Sequence, residues 1–326
     1  VGAWERATTS GSREDYPSLQ VVAAEDDTEI DVLTGSLRHH LRKYTLSRGQ
    51  SLQLMLPEDP SGSIIASNKP TSVFGGHMGM NIPSNVCCAD TDQQQLPALE
   101  QWGSAYAVVG HRSRLGSVPE TSPVRIAAAF DGTQLHYDPA PPAGAPRTME
   151  SGEIVTFWTS DPFVVKTQDA DHPVYVAQYM TGFGAINGAG GGGDPEFVNV
   201  VPAGQYLSSY AFYADPTYKE TALVIVRQKH RGEFKDVWLE CAKGNVPDFK
   251  PLGLEGEFEY ARVDLTRDGL SVAVLPGGAS CGHGFQQLRS DGPFTATLWG
   301  WDIFASYAYP GGMGQRRLVT KLPRVD

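Results

Sequence analysis

The sequence repeats itself at a spacing of about 100 residues, and this repetition constrains the fold more than any single motif. The stretch "VVAAEDDTEIDV" matches "RIAAAFDGTQLH" further along the chain nearly position for position. Gly49 then matches Gly152, and Pro70 matches Pro173, each at a displacement of 103 positions. Matches that keep one order and one offset indicate repeated structural units.

The repetition continues beyond these stretches. "LPALEQWGSAYAVVG" parallels "VPAGQYLSSYAFYA", and a third, more divergent copy contains "ALVIVRQKHRGEFKDVWLE", "RDGLSVAVL" and "SDGPFTATLWGW". We therefore predict three repeats of about 100 residues. The predicted organisation is a leader or linker at 1–17, repeats at 18–112, 113–215 and 216–312, and a C-terminal tail at 313–326.

Each repeat is predicted to consist of short antiparallel strands. Apolar residues alternate with polar ones in "SLQLML", and "VRIAAAF" places its larger apolar residues on one side, as in half-buried strands. Asp131-Gly132 and Asp268-Gly269 supply the backbone conformations that tight hairpins need. We find no long amphipathic helix. The expected fold class is all-β, with about seven strands per repeat in β-sandwich-like units; blades of a β-propeller are the alternative.

Charge and hydropathy exclude two classes of partner. The net charge is −11, and no basic run is long enough to follow a phosphate backbone, so nucleic acid is not expected as a partner. No stretch of about 18 apolar residues occurs, so no membrane-spanning segment is expected. The four cysteines are an even but sparse set, which is weak support for an oxidising compartment.

Several motifs occur in an order that resembles the IgGFc-binding protein N-terminal domain family. The amino-acid sequences of the motifs are closer to those of the family's bacterial members. The motifs are "VVAAEDDTEI", "LSRGQSLQL", "SGSIIASNKPTSVFGGH", the "CC" before "DQQQLPALEQWGSAYAVV", "FDGT", "VYVAQYMTG", "GDP" and "SYAYPGG". The resemblance covers Ser18 to Gly312. It implies a secreted or surface-displayed, non-catalytic β-rich module.

Two motifs depart from the family pattern. Relatives often place a cysteine shortly after the Gly-Gly-His, where this chain has Met78-Gly79-Met80. The cysteine that Cys87 or Cys88 would meet is therefore absent or relocated. The family's Gly-Asp-Pro is followed here by Glu and Phe, and without a histidine after it no self-cleavage is expected.

The cysteines form two candidate sets. Cys241 and Cys281 end two strands of the third repeat, and we predict a disulfide between them. Cys87 and Cys88 are adjacent, and the sequence leaves three states open: a bond to each other, free thiols, or a tether to another chain.

The remaining candidate positions are loop or ligand residues. His77 lies between glycines and is predicted to be a hydrogen-bonded turn residue at the end of a strand; Asp194 belongs to the Gly-Asp-Pro. Trp102, Tyr307 and Tyr309 recur at equivalent places of the repeats, as core or as a surface for stacking on sugars or a partner protein. A zinc site at His77 and the paired cysteines lacks ligand spacing. Acidic stretches such as "EDDTEID" alternate between faces, so no metal or other cofactor is predicted.

The sequence contains no nucleophile–base–acid motif, and the glycine-rich "GAGGGGD" has no phosphate-loop ending and is expected to be a flexible surface loop. We therefore expect no enzyme but an extracellular or cell-surface interaction module, an adhesive or structural segment of a larger exported protein that binds a protein or glycan. The alternatives are a self-assembling subunit of a surface filament or appendage, and an unrecognised hydrolase.

Overall fold

A computed structural model describes residue 4 and residues 15–34 and 41–322. Residues 1–3 and 5–14 of the predicted leader lie outside the described residues, as do residues 323–326 of the predicted tail. Strand accounts for 51% and helix for 4% of the structure, and the sheets are antiparallel, which confirms the all-β class.

The described residues form twenty-five strands and short 3-10 helices. The first unit contains β1 (Pro17–Ala23), β2 (Thr28–Leu33), β3 (Leu41–Leu46), β4 (Ser51–Met55), β5 (Ile64–Ser67), β6 (Thr71–Met80) and β7 (Asp90–Leu96). The second contains β8 (Ala105–Val108), β9 (Ser122–Ala128), β10 (Thr133–Asp138), β11 (Thr148–Met149), β12 (Ile154–Thr159), β13 (Phe163–Thr167), β14 (Val174–Met180) and β15 (Glu196–Asn199). The third contains β16 (Leu207–Ala214), β17 (Glu220–Gln228), β18 (Val237–Leu239), β19 (Gly244–Asn245), β20 (Lys250–Leu252), β21 (Phe258–Arg267), β22 (Leu270–Ala273), β23 (Ser280–Cys281), β24 (Gly284–Asp302) and β25 (Ala305–Pro310).

All three units share one strand order. Their first sheets run β4-β1-β6-β7, β12-β9-β14-β15 and β21-β17-β24-β25. Their second sheets run β3-β2-β5, β11-β10-β13-β8 and β19-β18-β24-β16. In the third unit the long strand β24 passes through both sheets, so the two merge into one ten-stranded sheet. The internal repetition of the sequence is therefore a repetition of topology.

The repeated side chains make the same hydrogen bonds in successive units. The hydroxyl of Tyr106 accepts from the backbone N–H of Gly103 and donates to the carbonyl of Val174. The hydroxyl of Tyr210 accepts from Leu207 and donates to the carbonyl of Phe294, at the equivalent strand. Each tyrosine thus fastens one sheet of its unit to the other.

Removing one tyrosine hydroxyl is expected to weaken the fold measurably. Tyr106→Phe leaves the buried carbonyl of Val174 without this donor, so we expect the free energy of unfolding to fall by about 1–3 kcal/mol in urea titrations. Tyr213→Phe, at a side chain that is 53% exposed, is the matched control. Equal losses in the two variants would contradict the fastening role of Tyr106.

Each unit buries a core between its two sheets. In the second unit Ile126 and Val176 of the first sheet pack with Val165 of the second, and all three are completely buried. These cores confirm the predicted sandwich-like units. The four smaller sheets together form a ring that resembles a β-propeller, and the ten-stranded sheet forms a half-barrel, so both architectures left open by the sequence describe part of the molecule.

Successive units are joined by a strand that each repeat contributes to the next unit and by apolar interfaces. The strand β8, which the sequence places at the end of the first repeat, pairs with β13 of the second unit, and β16 likewise joins the third unit. Tyr175, Tyr179 and Phe197 pack with Met80 between the first two units. A second cluster, which includes Trp299, Val201 and Val224, fills the junction of the second and third units. This second junction carries the candidate site.

Candidate binding site at the junction of the second and third units

A cleft of about 830 Å³ opens where the second unit meets the third. Three segments line it: the 112–118 loop between β8 and β9, the glycines that precede Asp194, and the turn at Arg267 and Asp268 after β21. Glu220, at the start of β17, lies at its base. A cleft of this size between structural units is a common place for binding.

The glycine-rich loop folds tightly against this cleft. Gly188 and Gly190–Gly193 all have positive φ angles, which side chains other than glycine rarely adopt. A Cβ atom at Gly190 would collide with the carbonyl of Arg114, and the carbonyl of Gly190 accepts from the indole N–H of Trp301 at 3.0 Å. The prediction of a flexible surface loop overlooked this packing: Gly192, Gly193 and Asp194 are buried.

Arg114 joins two walls of the cleft, the 112–118 loop and the glycine-rich loop. The residue is 1% exposed, and its guanidinium pairs with the carboxylate of Glu120. The same group donates to Thr181 Oγ1 at 2.7 Å, to the Thr181 carbonyl at 2.9 Å and to the carbonyl of Gly192 at 3.0 Å. Five donors in a fixed planar fork suit such a multiple contact. The side chain therefore links the 112–118 loop to β14 and to the glycine-rich loop.

Arg112 links the same loop to the third unit. It pairs with the carboxylates of Glu220 and Asp264, the latter at 2.7 Å, and its guanidinium lies 4.5 Å from the ring centre of Trp301. Asp268 donates its backbone N–H to Glu220 at 2.7 Å. These contacts give the cleft a rigid, charged floor.

Burial sets the protonation of the residues behind the cleft. His111 packs against Trp299 at a ring distance of 5.2 Å, and burial lowers its pKa to about 4, although Glu120 opposes the shift. Burial disfavours the charge on Glu120. The positive charges of protonated His111 and of Arg114 outweigh this effect and lower the pKa of Glu120 to about 2. At neutral pH the pair behind the cleft is therefore an ionised Glu120 with Arg114, beside a neutral histidine.

Exposed apolar side chains lie in the cleft wall and beside the glycine-rich loop. We call Val118, Ile303 and Phe304 the rim; they are 58%, 57% and 52% exposed. Phe304 contacts Phe183 at a ring distance of 4.2 Å, and a Cβ on Gly192 would lie 3.2 Å from the Cα of Ile303, so the hairpin between β24 and β25 adjoins the glycine-rich loop. The rim thus combines apolar area with the charged floor beneath it.

Asp194 is buried in a group of four carboxylates, of which three are buried and Asp90 is half-buried. The first two repeats carry acidic residues at equivalent positions: Asp90 and Asp92 at β7 correspond to Asp194 and Glu196 at β15. Asp194 accepts the backbone N–H of Phe183 at 3.2 Å and donates its own to Ser306 Oγ at 2.8 Å. Burial raises the pKa of Asp194 to about 6. We call Asp90, Asp92, Asp194 and Glu196 the central carboxylates.

The pKa values of Asp92 and Glu196 are both raised, and the two groups influence each other. Burial, together with the negative charge of Glu196, raises the pKa of Asp92 well above its usual range. Burial raises the pKa of Glu196 to about 7. The carboxylate of Asp92 accepts the N–H of Phe197 at 2.9 Å, which ties β7 to β15. The first and second units therefore meet through carboxyl groups whose burial favours the protonated form.

His77 and Trp102 are structural in different ways. His77 lies inside β6 and not at a turn, so that prediction is wrong; its Nδ1 accepts the N–H of Gly79 at 3.1 Å. The preceding glycine, Gly76, allows close contact with β7, because a Cβ there would collide with the carbonyl of Asp92. Trp102 donates its indole N–H to Pro97 at 3.2 Å and packs on Tyr175 at the first junction.

Tyr307 and Tyr309 fasten β25 to β16. The hydroxyl of Tyr307 accepts from the N–H of Asp215 at 3.0 Å. The hydroxyl of Tyr309 accepts from the N–H of Tyr213 at 2.9 Å and donates to its carbonyl at 2.7 Å. Both rings are half-buried. Their position fits packing between strands better than an open surface on which a sugar or a partner protein could stack.

The structure brings both cysteine pairs together. Cys241 and Cys281 have Cα atoms 4.9 Å apart beside the core of the third unit, which is within the range of disulfides. Cys87 and Cys88 are also placed as a bonded pair. The structure places no described residue as the external partner of either cysteine of this pair.

Nonreducing peptide mapping is expected to recover a peptide that links Cys241 to Cys281. Its reduction is expected to lower the free energy of unfolding by about 2–4 kcal/mol, since the bond closes a long loop of the unfolded chain. A Cys241→Ser variant controls for lost packing. Recovery of two alkylated thiols from the unreduced protein would contradict the bond.

Among the described residues, no cluster of three or more His, Cys, Asp or Glu side chains is arranged to hold a metal ion. No helix in residues 15–34 and 41–322 has the length and hydropathy needed to cross a bilayer.

The comparisons with known proteins give one match. A family model described as IgGFc binding protein matches residues 1–300. No curated protein and no solved structure gives a match. The family match confirms the resemblance seen in the motifs and extends over nearly the whole chain. The chain therefore belongs to the IgGFc-binding protein family.

Proposed function

We propose that the chain is a non-catalytic extracellular module that binds a protein partner through the rim and the cleft beside it. The family is a binding family rather than an enzymatic one, and its domains typically occur in secreted or surface proteins. The observation that carries the proposal is the rim: three apolar side chains, each more than half exposed, of which Val118 lines the charged cleft and Ile303 and Phe304 lie beside its glycine-rich loop. Apolar patches bordered by polar groups are typical of protein interaction sites.

The arginines of the cleft are paired with carboxylates, and this pairing suits the binding of a partner better than proton transfer. Arg114 and Glu120 are buried and paired with each other, and Arg112 is paired with two carboxylates. Such groups hold a surface in shape. Arg267, which pairs with Asp264, and Asp268 also line the cleft, and both are exposed, so they can contact polar groups of a partner. The apolar rim then contributes buried area, and these charges contribute specificity.

In this proposal the chain is an adhesive or structural segment of a larger exported protein. The family description names the Fc part of immunoglobulin G, so Fc is the first protein to test, together with arrays of surface proteins and of glycans. The binding surface stays the same whichever protein is bound.

A double variant at the rim tests the proposal. We expect Ile303→Ser with Phe304→Ser to weaken binding to the protein partner by at least about tenfold, since exposed aromatic and aliphatic side chains dominate interface energetics. Leu254→Ser is the matched control, because Leu254 is 84% exposed on the turn before β21. Binding of glycans alone, or equal binding by the rim variant and the control, would contradict the proposal.

A further inference from the structure

We propose that the outer edge of β5, the side away from β2, is a docking site for a β-strand that carries the tyrosine pattern of β8 and β16 and is supplied by a polypeptide outside residues 1–326. We call this edge the β5 slot. The inference goes beyond the proposed function, because the slot lies in the first unit and shares no residue with the rim.

The same interface occurs twice within the molecule. In the second unit β8 pairs with β13, and Tyr106 lies opposite Val165. In the third unit β16 pairs with the first half of β24, and Tyr210 lies opposite Leu288. Each of these strands comes from the preceding repeat of the sequence. The second sheet of the first unit has three strands instead of four, and within the described residues β5 pairs with β2 alone.

The strand registers identify the equivalent positions. Val32 of β2 lies opposite Ile65, as Tyr137 of β10 lies opposite Val165. Ile65 is therefore the counterpart of Val165 and Leu288. A strand in the slot that follows the same pattern would place its tyrosine opposite Ile65.

The backbone of β5 presents the required donor to the slot. In the second unit the N–H of Thr167 donates to the carbonyl of Ser104 at 2.8 Å, on the β8 side. Ser67 is the counterpart of Thr167 in the register. The N–H of the next residue, Asn68, donates to Glu29 on the β2 side at 3.2 Å. Because N–H groups alternate between the two sides of a strand, the N–H of Ser67 points into the slot.

The core of the first unit is incompletely covered. Val165 and Leu288 are 0% and 1% exposed, whereas Ile65 is only partly buried. The same contrast holds at one position of the facing sheet, where Leu54 of β4 is partly buried and its counterpart Phe157 is fully buried. A fourth strand with a tyrosine on its inner face would cover this exposed apolar surface.

An external strand fits the slot better than a strand from a second copy. In each copy β8 and β16 are already paired, and the hydroxyls of Tyr106 and Tyr210 are bonded to backbone groups of their own chain. A second copy would have to detach one of these strands before donating it. A separate strand of the same type loses no such pairing, as in known cases of strand addition to a sheet edge.

A labelled peptide with the sequence of residues 203–215, "AGQYLSSYAFYAD", tests the proposal. We expect saturable binding to the whole chain by fluorescence anisotropy, weakened at least about tenfold when the Tyr210 position of the peptide is alanine. Ser67→Pro removes the outward N–H at a place where edge strands tolerate proline, and we expect it to weaken binding at least about tenfold. Ser67→Ala keeps the N–H and is the matched control.

Urea titrations first establish that the Ser67→Pro and Ser67→Ala proteins unfold at the same denaturant concentration. Absence of peptide binding to the wild-type chain would overturn the proposal, as would equal binding by the two variants. Sedimentation that shows a concentration-dependent dimer, abolished by Ser67→Pro, would also overturn it, because the occupant would then be a second copy.

Discussion

Replacing Arg114 by methionine is expected to lower the free energy of unfolding by about 3–5 kcal/mol. The substitution leaves the carboxylate of Glu120 buried without its ion pair and leaves the carbonyls of Thr181 and Gly192 without their donor. Because these contacts join three segments, the glycine-rich loop is expected to lose its fixed position as well. Chemical denaturation monitored by tryptophan fluorescence measures the loss, since Trp301 is bonded to that loop.

Two further variants distinguish loss of the Arg114–Glu120 ion pair from the loss of an arginine side chain in general. Arg48→Met changes an exposed arginine and is expected to leave stability within about 0.5 kcal/mol of the wild type. The double variant Arg114→Met with Glu120→Met removes both charges and is expected to recover part of the loss. If Arg114→Met were no more destabilising than Arg48→Met, Arg114 would not hold the cleft.

The central carboxylates are expected to make the protein less stable as the pH rises from about 4.5 to 7. Glu196 has an ordinary pKa of 4.5 and a folded-state pKa of about 7, so in this interval the folded state binds more protons than the unfolded state. The stabilising effect is complete below 4.5 and is lost on approaching 7. Asp194, with its pKa raised to about 6, acts in the same direction. Glu120 has the opposite sign, but its interval lies between about 2 and 4.5.

The variant Glu196→Gln removes this titration while keeping a side chain of similar size. We expect urea titrations between pH 4.5 and 8 to show a flatter profile, with the variant gaining on the order of 2–3 kcal/mol relative to the wild type across the interval. Glu240→Gln, at an exposed position, is the control. Identical slopes for the wild type and Glu196→Gln would show that this carboxyl ionises freely in the folded protein.

The sequence alone was sufficient for the all-β class and for the inner faces of the strands, because a strand's alternation reports which residues face the core. Ile30 and Val32 alternate with charged neighbours, and both are completely buried. The match of Tyr106 with Tyr210 was also visible, and the structure explains it by one shared pair of hydrogen bonds. The partner strand was not predictable, since alternation does not say which neighbour a strand pairs with. The passage of β8 and β16 into the following unit was therefore missed.

The candidate site was missed for a similar reason. Arg114 contacts Gly192 and Arg112 contacts Glu220, across separations of 78 and 108 residues, and nothing local to these arginines indicates such partners. No motif singled out the hairpin that carries Ile303 and Phe304. One signal was present: "ADTD" and "GDPE" occupy matching places in two repeats, and their carboxylates meet in the folded protein. Tyr307 and Tyr309, for which the sequence left core packing and a stacking surface open, fasten strands.

Amide hydrogen exchange on the free protein tests the central claim about this molecule: the second and third units are each closed by a strand from the preceding repeat, whereas the first unit is left open within the described residues. We expect the amides of Val165 and Thr167, which face β8, to exchange slowly. The amides of Ile65 and Ser67, at the equivalent positions facing the β5 slot, are expected to exchange on the timescale of exposed loops. Equal protection of the two pairs at low protein concentration would contradict the claim, because the first unit would then already be closed.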